Sequence, residues 1–338
     1  MAGVRLTLPA IAASILLAGP PAHADDFYAG KTISIVVGSG VGGAYDAMAR
    51  LIGRRIADYI PGKPTIIFRN MPGAASRTAA AWIFNSAPKD GLSIGAISPQ
   101  ALLDPLFGDG SQIKYEPLRF DFVGSAASLS YLCVVRFDSP VQSFQEAQDK
   151  EVIMGTSAPG SAGYETTMVL KRVLGAKFRL VTGYPNSPAT ALAVEKGEIN
   201  GACGGMDQIA PHRDFAAQNK LRVIVQFGLE PNPRLTSMGA PPVWDFVQKD
   251  EDRRLLRFLM TAQTIGRPYI MPPDSPPEAV AIIRKAFDLA VKDPKFLEDA
   301  ARATLEVAPI SAARMREVLA ESYRASPDMI ERARSALQ

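Results

Sequence analysis

Three turns carry the residues of this chain whose types and spacing suit chemistry, and the chemistry they suit is the holding of an anion. The first, Gly38-Ser39-Gly40-Val41-Gly42-Gly43, matches G-x-G-x-x-G and runs on into Ala44-Tyr45-Asp46. A glycine-rich turn between a strand and a helix exposes backbone N–H groups and the positive end of the helix dipole to a negative group. The second turn, from Gly155 to Gly163, sets the hydroxyls of Thr156, Ser157 and Ser161 beside Ala162 in the same context. It reads equally as an ordinary loop with a serine N-cap. The third, Asn70-Met71-Pro72-Gly73-Ala74-Ala75-Ser76-Arg77, ends on the one fixed cation of these loops. Arg77 either pairs with an anionic ligand or is a solvated surface charge.

Other chemistries fit less well. G-x-G-x-x-G is also the dinucleotide fingerprint, but that motif wants an acid at the end of the second strand, and Arg69-Asn70 stands there instead. Cys133 and Cys203 show no metal-ligand spacing. The histidines are His23 and His212, so an exported hydrolase using Ser39 or Ser157 would depend on His212 as its base. The surroundings of His212, Ala210-Pro211-His212-Arg213-Asp214, read as a polar helix surface. No catalytic group, metal or cofactor is expected.

The elements that position these turns repeat as strand, turn and helix. Thr32–Gly38, Thr65–Asn70 and Leu92–Ser98 read as strands. Asp46–Ile60 and Ala75–Ala87 read as the helices between them. The apolar run Phe122–Val135 suits a single strand crossing between two lobes. The alternation then resumes, with strands at Val152–Thr156, Phe178–Gly183, Ile199–Cys203 and Leu221–Phe227, and helices at Tyr164–Leu174 and Pro188–Lys196. From Pro276 onward the pattern is helical. Alternation of this kind predicts parallel α/β sheets with helices on both faces.

The N-terminus reads as a secretory signal. Arg5 precedes an apolar run from Leu6 to Ala18, followed by Gly19-Pro20-Pro21 and the cleavage pattern Ala22-His23-Ala24. The mature chain is expected to start at Asp25, outside the cytoplasmic membrane and free of it. Removing 1–24 leaves 36 basic residues against 34 acidic ones, a net +2. So even a balance, without a basic run, does not point to nucleic acid or an anionic membrane.

In order, these segments resemble a family. Lys31–Arg50, Asn70-Met71-Pro72-Gly73-Ala74, Ala87-Pro88-Lys89-Asp90-Gly91, Gly155–Ser161, Gly183-Tyr184 and Lys196-Gly197-Glu198-Ile199 together resemble the tripartite tricarboxylate transporter substrate-binding proteins, or Bug receptors. The resemblance implies a two-lobe periplasmic-binding-protein fold of the type II, Venus flytrap kind. Its lobes are expected at 25–130 plus 228–338 and at 131–227, with a cleft between them. It implies a periplasmic monomer that captures a small carboxylate and passes it to a two-component membrane permease; a sensor without a permease is the alternative. The carboxylate is then expected on N–H groups of the Ser39–Gly43 and Thr156–Ala162 turns, helped by the hydroxyls of Ser39, Thr156, Ser157 and Ser161. Tyr45, Arg77, Ser98, Gln100, Tyr184 and Asp207 are expected in the same cleft. Asp207, if it faces the ligand, selects an amine or hydroxyl or repels a second carboxylate. In a type II lobe the strand of Cys133 runs antiparallel beside that of Cys203, so the two are either bridged or two buried thiols.

Overall fold

The computed structural model describes residues 27–107, 113–206 and 218–338. The proposed signal peptide, Asp207 and His212 lie outside the described residues.

In β1 (Thr32–Val37) the two-residue period of a strand sends Ile33, Ile35 and Val37 into one apolar core and Val36 into another on the opposite face. β2 (Thr65–Asn70) and β3 (Ser93–Ala96) flank β1 in parallel. The crossovers are α1 (Ala44–Ile56) and α2 (Arg77–Asn85). After α3 (Pro99–Phe107), β4 (Asp121–Ser125) joins the same sheet, and the chain then leaves it.

A second sheet holds β5 (Tyr131–Arg136), β6 (Val152–Gly155), β7 (Phe178–Val181), β8 (Gly201–Gly204) and β9 (Leu221–Phe227), in the order β7-β6-β8-β5-β9. Its helices are α4 (Phe144–Asp149), α5 (Ala162–Leu174) and α6 (Ser187–Lys196). The returning chain forms α7 (Pro233–Ser237), α8 (Asp250–Leu259) and α9 (Thr261–Thr264). Val243, Val247, Leu256 and Met260 from this stretch join the core of the second sheet. β10 (Pro268–Met271) then re-enters the first sheet, and β11 (Ile310–Ser311) completes its order, β11-β4-β10-β3-β1-β2.

The remaining helices are α10 (Pro277–Ala290), α11 (Pro294–Arg302), α12 (Ala312–Tyr323) and α13 (Pro327–Leu337). α10 and α11 bury Ile283, Phe287 and Phe296 against the β1 core, and α12 buries Met315 and Leu319 on the other face of that sheet. α13 packs Ala333 and Ala336 with Leu255 and Val173, so it also touches the second unit.

Two expectations are corrected. The sheets are mixed where parallel ones were expected: β10 runs antiparallel to β3 and β4, and β5 antiparallel to β9, while the antiparallel pairing of β5 with β8 is the one expected for the strands of Cys133 and Cys203. Strands that enter a sheet from the other unit arrive in the opposite direction. The run Phe122–Val135 is two strands, β4 in one sheet and β5 in the other. The connecting residues 126–130 are held by bonds such as Ala126 N to Arg267 O and Leu129 N to Gln263 O. Its two ends belong to different sheets, so the ladder breaks between them.

Candidate functional site

A cleft of about 340 Å³ opens where the strand-to-helix turns of the two sheets meet. On the first side the turn after β1 contributes Ser39, Gly40, Gly43 and Tyr45. Asp46, only 2% exposed, holds this turn. Its carboxylate accepts from Gly42 N (3.0 Å), Arg50 Nε (3.0 Å) and Asn70 Nδ2 (2.8 Å). Asn70 also donates to Ser39 O (3.0 Å) and accepts from Arg50 Nη2 (3.1 Å). The position where a dinucleotide-binding fold carries its acid is thus a structural amide that ties β2 to the turn.

Behind the turn, Ser76 is buried and joins two strand ends. Its hydroxyl donates to Gly38 O (2.9 Å) and accepts from Ser98 N (3.0 Å). It ends a run with positive φ: Gly73 at 142°, Ala74 at 45°, Ala75 at 51° and Ser76 at 74°. Three consecutive non-glycine residues in this region store strain. Ala75 and Ser76 both line the cleft, so the strain sits at the binding surface.

The second side is the start of α5. Ser161 is its N-cap and accepts from Tyr164 N. The amides of Ala162 and Gly163 belong to the first turn, where helical geometry gives them no partner, and both residues line the cleft. A Cβ at Gly163 would lie 2.6 Å from Cys203 O, so glycine lets the helix N-terminus approach β8 this closely. Thr156, Ser157 and Ser98 line the same space, and Thr156 Oγ1 is buried without a hydrogen-bond partner.

Several expected residues stand elsewhere. Val41 is 70% exposed, and Gly42 spends its N–H on Asp46, so neither lines the cleft. Arg77 pairs with Asp104 (3.1 Å) and donates to Ala74 O, which turns it away from the cleft. Gln100 points into a smaller cavity between the units, where it donates to Glu165 and accepts from Ser98 Oγ. Tyr184 packs with the apolar cluster of Ala193, Val194 and Ile199, and the residues after it, Pro185 to Pro188, reach the cleft. Among them Asn186 caps α6, accepting from Ala189 N (2.9 Å).

The structure adds residues that no motif marked. Tyr131, Arg267, Thr304 and Glu306 all line the cleft. Arg267 precedes an apolar strand by one residue, and a charge at such a place is the only signal the sequence held for it. The Glu306 carboxyl accepts from Asn232 Nδ2 (2.8 Å), and burial raises its pKa against the pull of its hydrogen bonds and of Arg267.

Glu165 sits beneath the cleft, facing Gln100, Asp104 and Tyr131 in the smaller cavity. Burial pushes its carboxyl up to about 8, opposed by the Gln100 hydrogen bond and reinforced by the charge of Asp104. The folded protein therefore keeps a proton here that the unfolded chain releases from about pH 4.5 upward. Stability falls as pH rises from that value to about 8. Glu165→Gln is expected to raise stability at pH 7 by about 2 kcal/mol, with the gain fading toward pH 4. Urea unfolding of variant and parent at pH 4.5 and pH 7 measures this. A pH-independent difference would show that the carboxyl titrates normally.

Two sheets, each giving helix N-termini to a shared cleft, define the two-lobe α/β fold of periplasmic binding proteins. MatC from Rhodopseudomonas palustris, with bound malate, superposes with a TM-score of 0.70 at 17% identity over 91% of this chain and 99% of that one. The periplasmic binding protein BugD gives 0.69 at 18%, over 90% and 97%. By sequence, the chain is similar to a UPF0065 protein of Bordetella bronchiseptica, 28% identical over 236 residues. That match covers 66% of this chain and spans 65% of the relative's length. No protein-family model matches.

Proposed function

We propose that this protein is an extracytoplasmic solute-binding receptor that captures a small carboxylate between its two lobes. It then delivers the carboxylate to a two-component membrane permease of the tripartite tricarboxylate type. One observation carries the reading: turns at the starts of α1 and α5, from different sheets, face one cleft, and the leading amides of α5 have no partner within the helix. Such amides favour a negative group. Two proteins of the same fold support it, MatC by its bound malate and BugD as a periplasmic binding protein. The signal-like N-terminus agrees with export, and among the described residues no helix is long and apolar enough to cross a membrane.

A receptor gains stability with its ligand, about 2.7 kcal/mol at a hundredfold excess over Kd. A thermal-shift screen of mono-, di- and tricarboxylates is therefore expected to give a rise of several degrees for at least one compound. No shift from any carboxylate would sink the reading. Delivery is tested by uptake of the hit into cells that carry the permease, with and without the receptor.

A further inference from the structure

Arg267 is a buried cation that forms no ion pair among the described residues. It is 9% exposed, and it lines the cleft. Nε and Nη1 have no hydrogen-bond partner among the described residues. Among those residues no carboxylate stands within ion-pair distance of it. Glu306 feels the charge of Arg267, but its carboxyl is engaged by Asn232. A buried charge without a partner is expensive, so its retention calls for an anion that arrives from outside.

The guanidinium is held ready. Arg267 N donates to Ser125 Oγ (3.0 Å) and Arg267 O accepts from Ala126 N, which fixes the backbone beside the crossing segment. The preceding Gly266 passes so close to Ala127 O that a Cβ there would lie 2.5 Å away. The Arg267 guanidinium lies 5.2 Å from the centre of the Tyr45 ring, at the first turn of α1. The cleft thus has two positive poles, one on each unit: Arg267 with the start of α1, and the leading amides of α5.

We propose that Arg267 receives a second anionic group of the ligand, so that the cleft selects a dicarboxylate, one end on the α5 amides and the other on Arg267. This rests on the carboxylate reading above. It transfers to Arg267 the part that the sequence offered to Arg77, which Asp104 neutralises.

The test compares succinate and malate with butanoate by calorimetry on the full mature chain. The parent is expected to bind a dicarboxylate at least tenfold more tightly than butanoate. Arg267→Gln is expected to weaken the dicarboxylate by roughly 10- to 100-fold, the range for a hydrogen bond to a charged group, and to leave butanoate within about threefold. Loss of an unpaired buried charge should leave the empty variant melting at or above the parent temperature, whereas a purely structural role would lower it. Arg267→Lys keeps the charge without the fork and is expected to lose less. It carries the same comparison if the glutamine variant does not fold. Equal binding of butanoate and dicarboxylates by the parent, or an undiminished dicarboxylate preference in the variants, overturns the role of Arg267 while the carboxylate reading stands. Failure of the parent to bind any carboxylate overturns both.

Discussion

Asp46→Ala is expected to cost about 2–3 kcal/mol of stability, the upper range for leaving buried donors without their acceptor, since Arg50 itself stays partly open to solvent. Calorimetry of the variant is expected to give no measurable binding of whichever carboxylate binds the parent. Asp46 accepts three hydrogen bonds while almost wholly buried, and the alanine leaves Gly42 N, Arg50 and Asn70 without their shared acceptor. The turn that carries Ser39, Gly40 and Gly43 then loses its anchor, and with it the first face of the cleft. Burial alone would raise the Asp46 pKa. The bonds from Arg50, Gly42 and Asn70, with the Arg50 charge, outweigh burial and hold it below its ordinary 3.8. A depressed acid gives its stability above the unfolded value and loses it as pH falls through the folded one. The parent is therefore expected to lose part of its stability below about pH 4, and the variant to lack that loss. Urea unfolding from pH 3 to pH 7 reads both. A variant within 1 kcal/mol of the parent at pH 7 would show that the network is not what holds the turn.

How far the sequence reached depended on the range of the interaction. β1, α1, β2, α2 and β3 were legible because each is specified by its own periodicity and the turn beside it. The pairing of β10 between β3 and β4 was not, since nothing in Pro268–Met271 says which strands accept it. The apolar run 122–135 announced extended structure but not its division between two sheets. At the site, the turns at 39–43 and 156–162 were readable because a glycine-rich stretch before a helix is a local feature. Arg77 was placed in the cleft for its charge, but its partner Asp104 sits on a later helix that only the fold brings near. Arg267 carries little local signal for the same reason. Its meaning comes from Tyr45 beside it and from the lack of an ion-pair partner among the described residues, both set by tertiary contact. Ser76 behaves likewise: its importance lies in Gly38 and Ser98, two strand ends it joins from outside either.

Reduction of the Cys133–Cys203 bridge is expected to lower stability by about 3–4 kcal/mol while leaving the cleft in place. The two residues face each other across the antiparallel pair β5 and β8 and are joined as a disulfide. The bridge closes a loop with a sequence separation of 70, which contains α4, β6, α5, β7 and α6. Loop-closure entropy for that length comes to about 4 kcal/mol, and residual structure in the reduced chain trims it. Both cysteines belong to one sheet, so the bridge fastens the second unit internally and does not tie it to the first. Opening and closing of the cleft should therefore be indifferent to it, and Kd is expected to change by less than about threefold where the reduced protein is still folded. Cys133→Ala with Cys203→Ala is expected to reproduce the loss. Alkylation and intact mass of the unreduced, denatured chain come first. Two modified thiols there would mean that no bridge forms, and an unchanged melting temperature after verified reduction would mean that the bridge forms without stabilising the fold. A large loss of affinity with stability preserved would place the bridge in the positioning of α5, whose first turn lies against Cys203 O through Gly163.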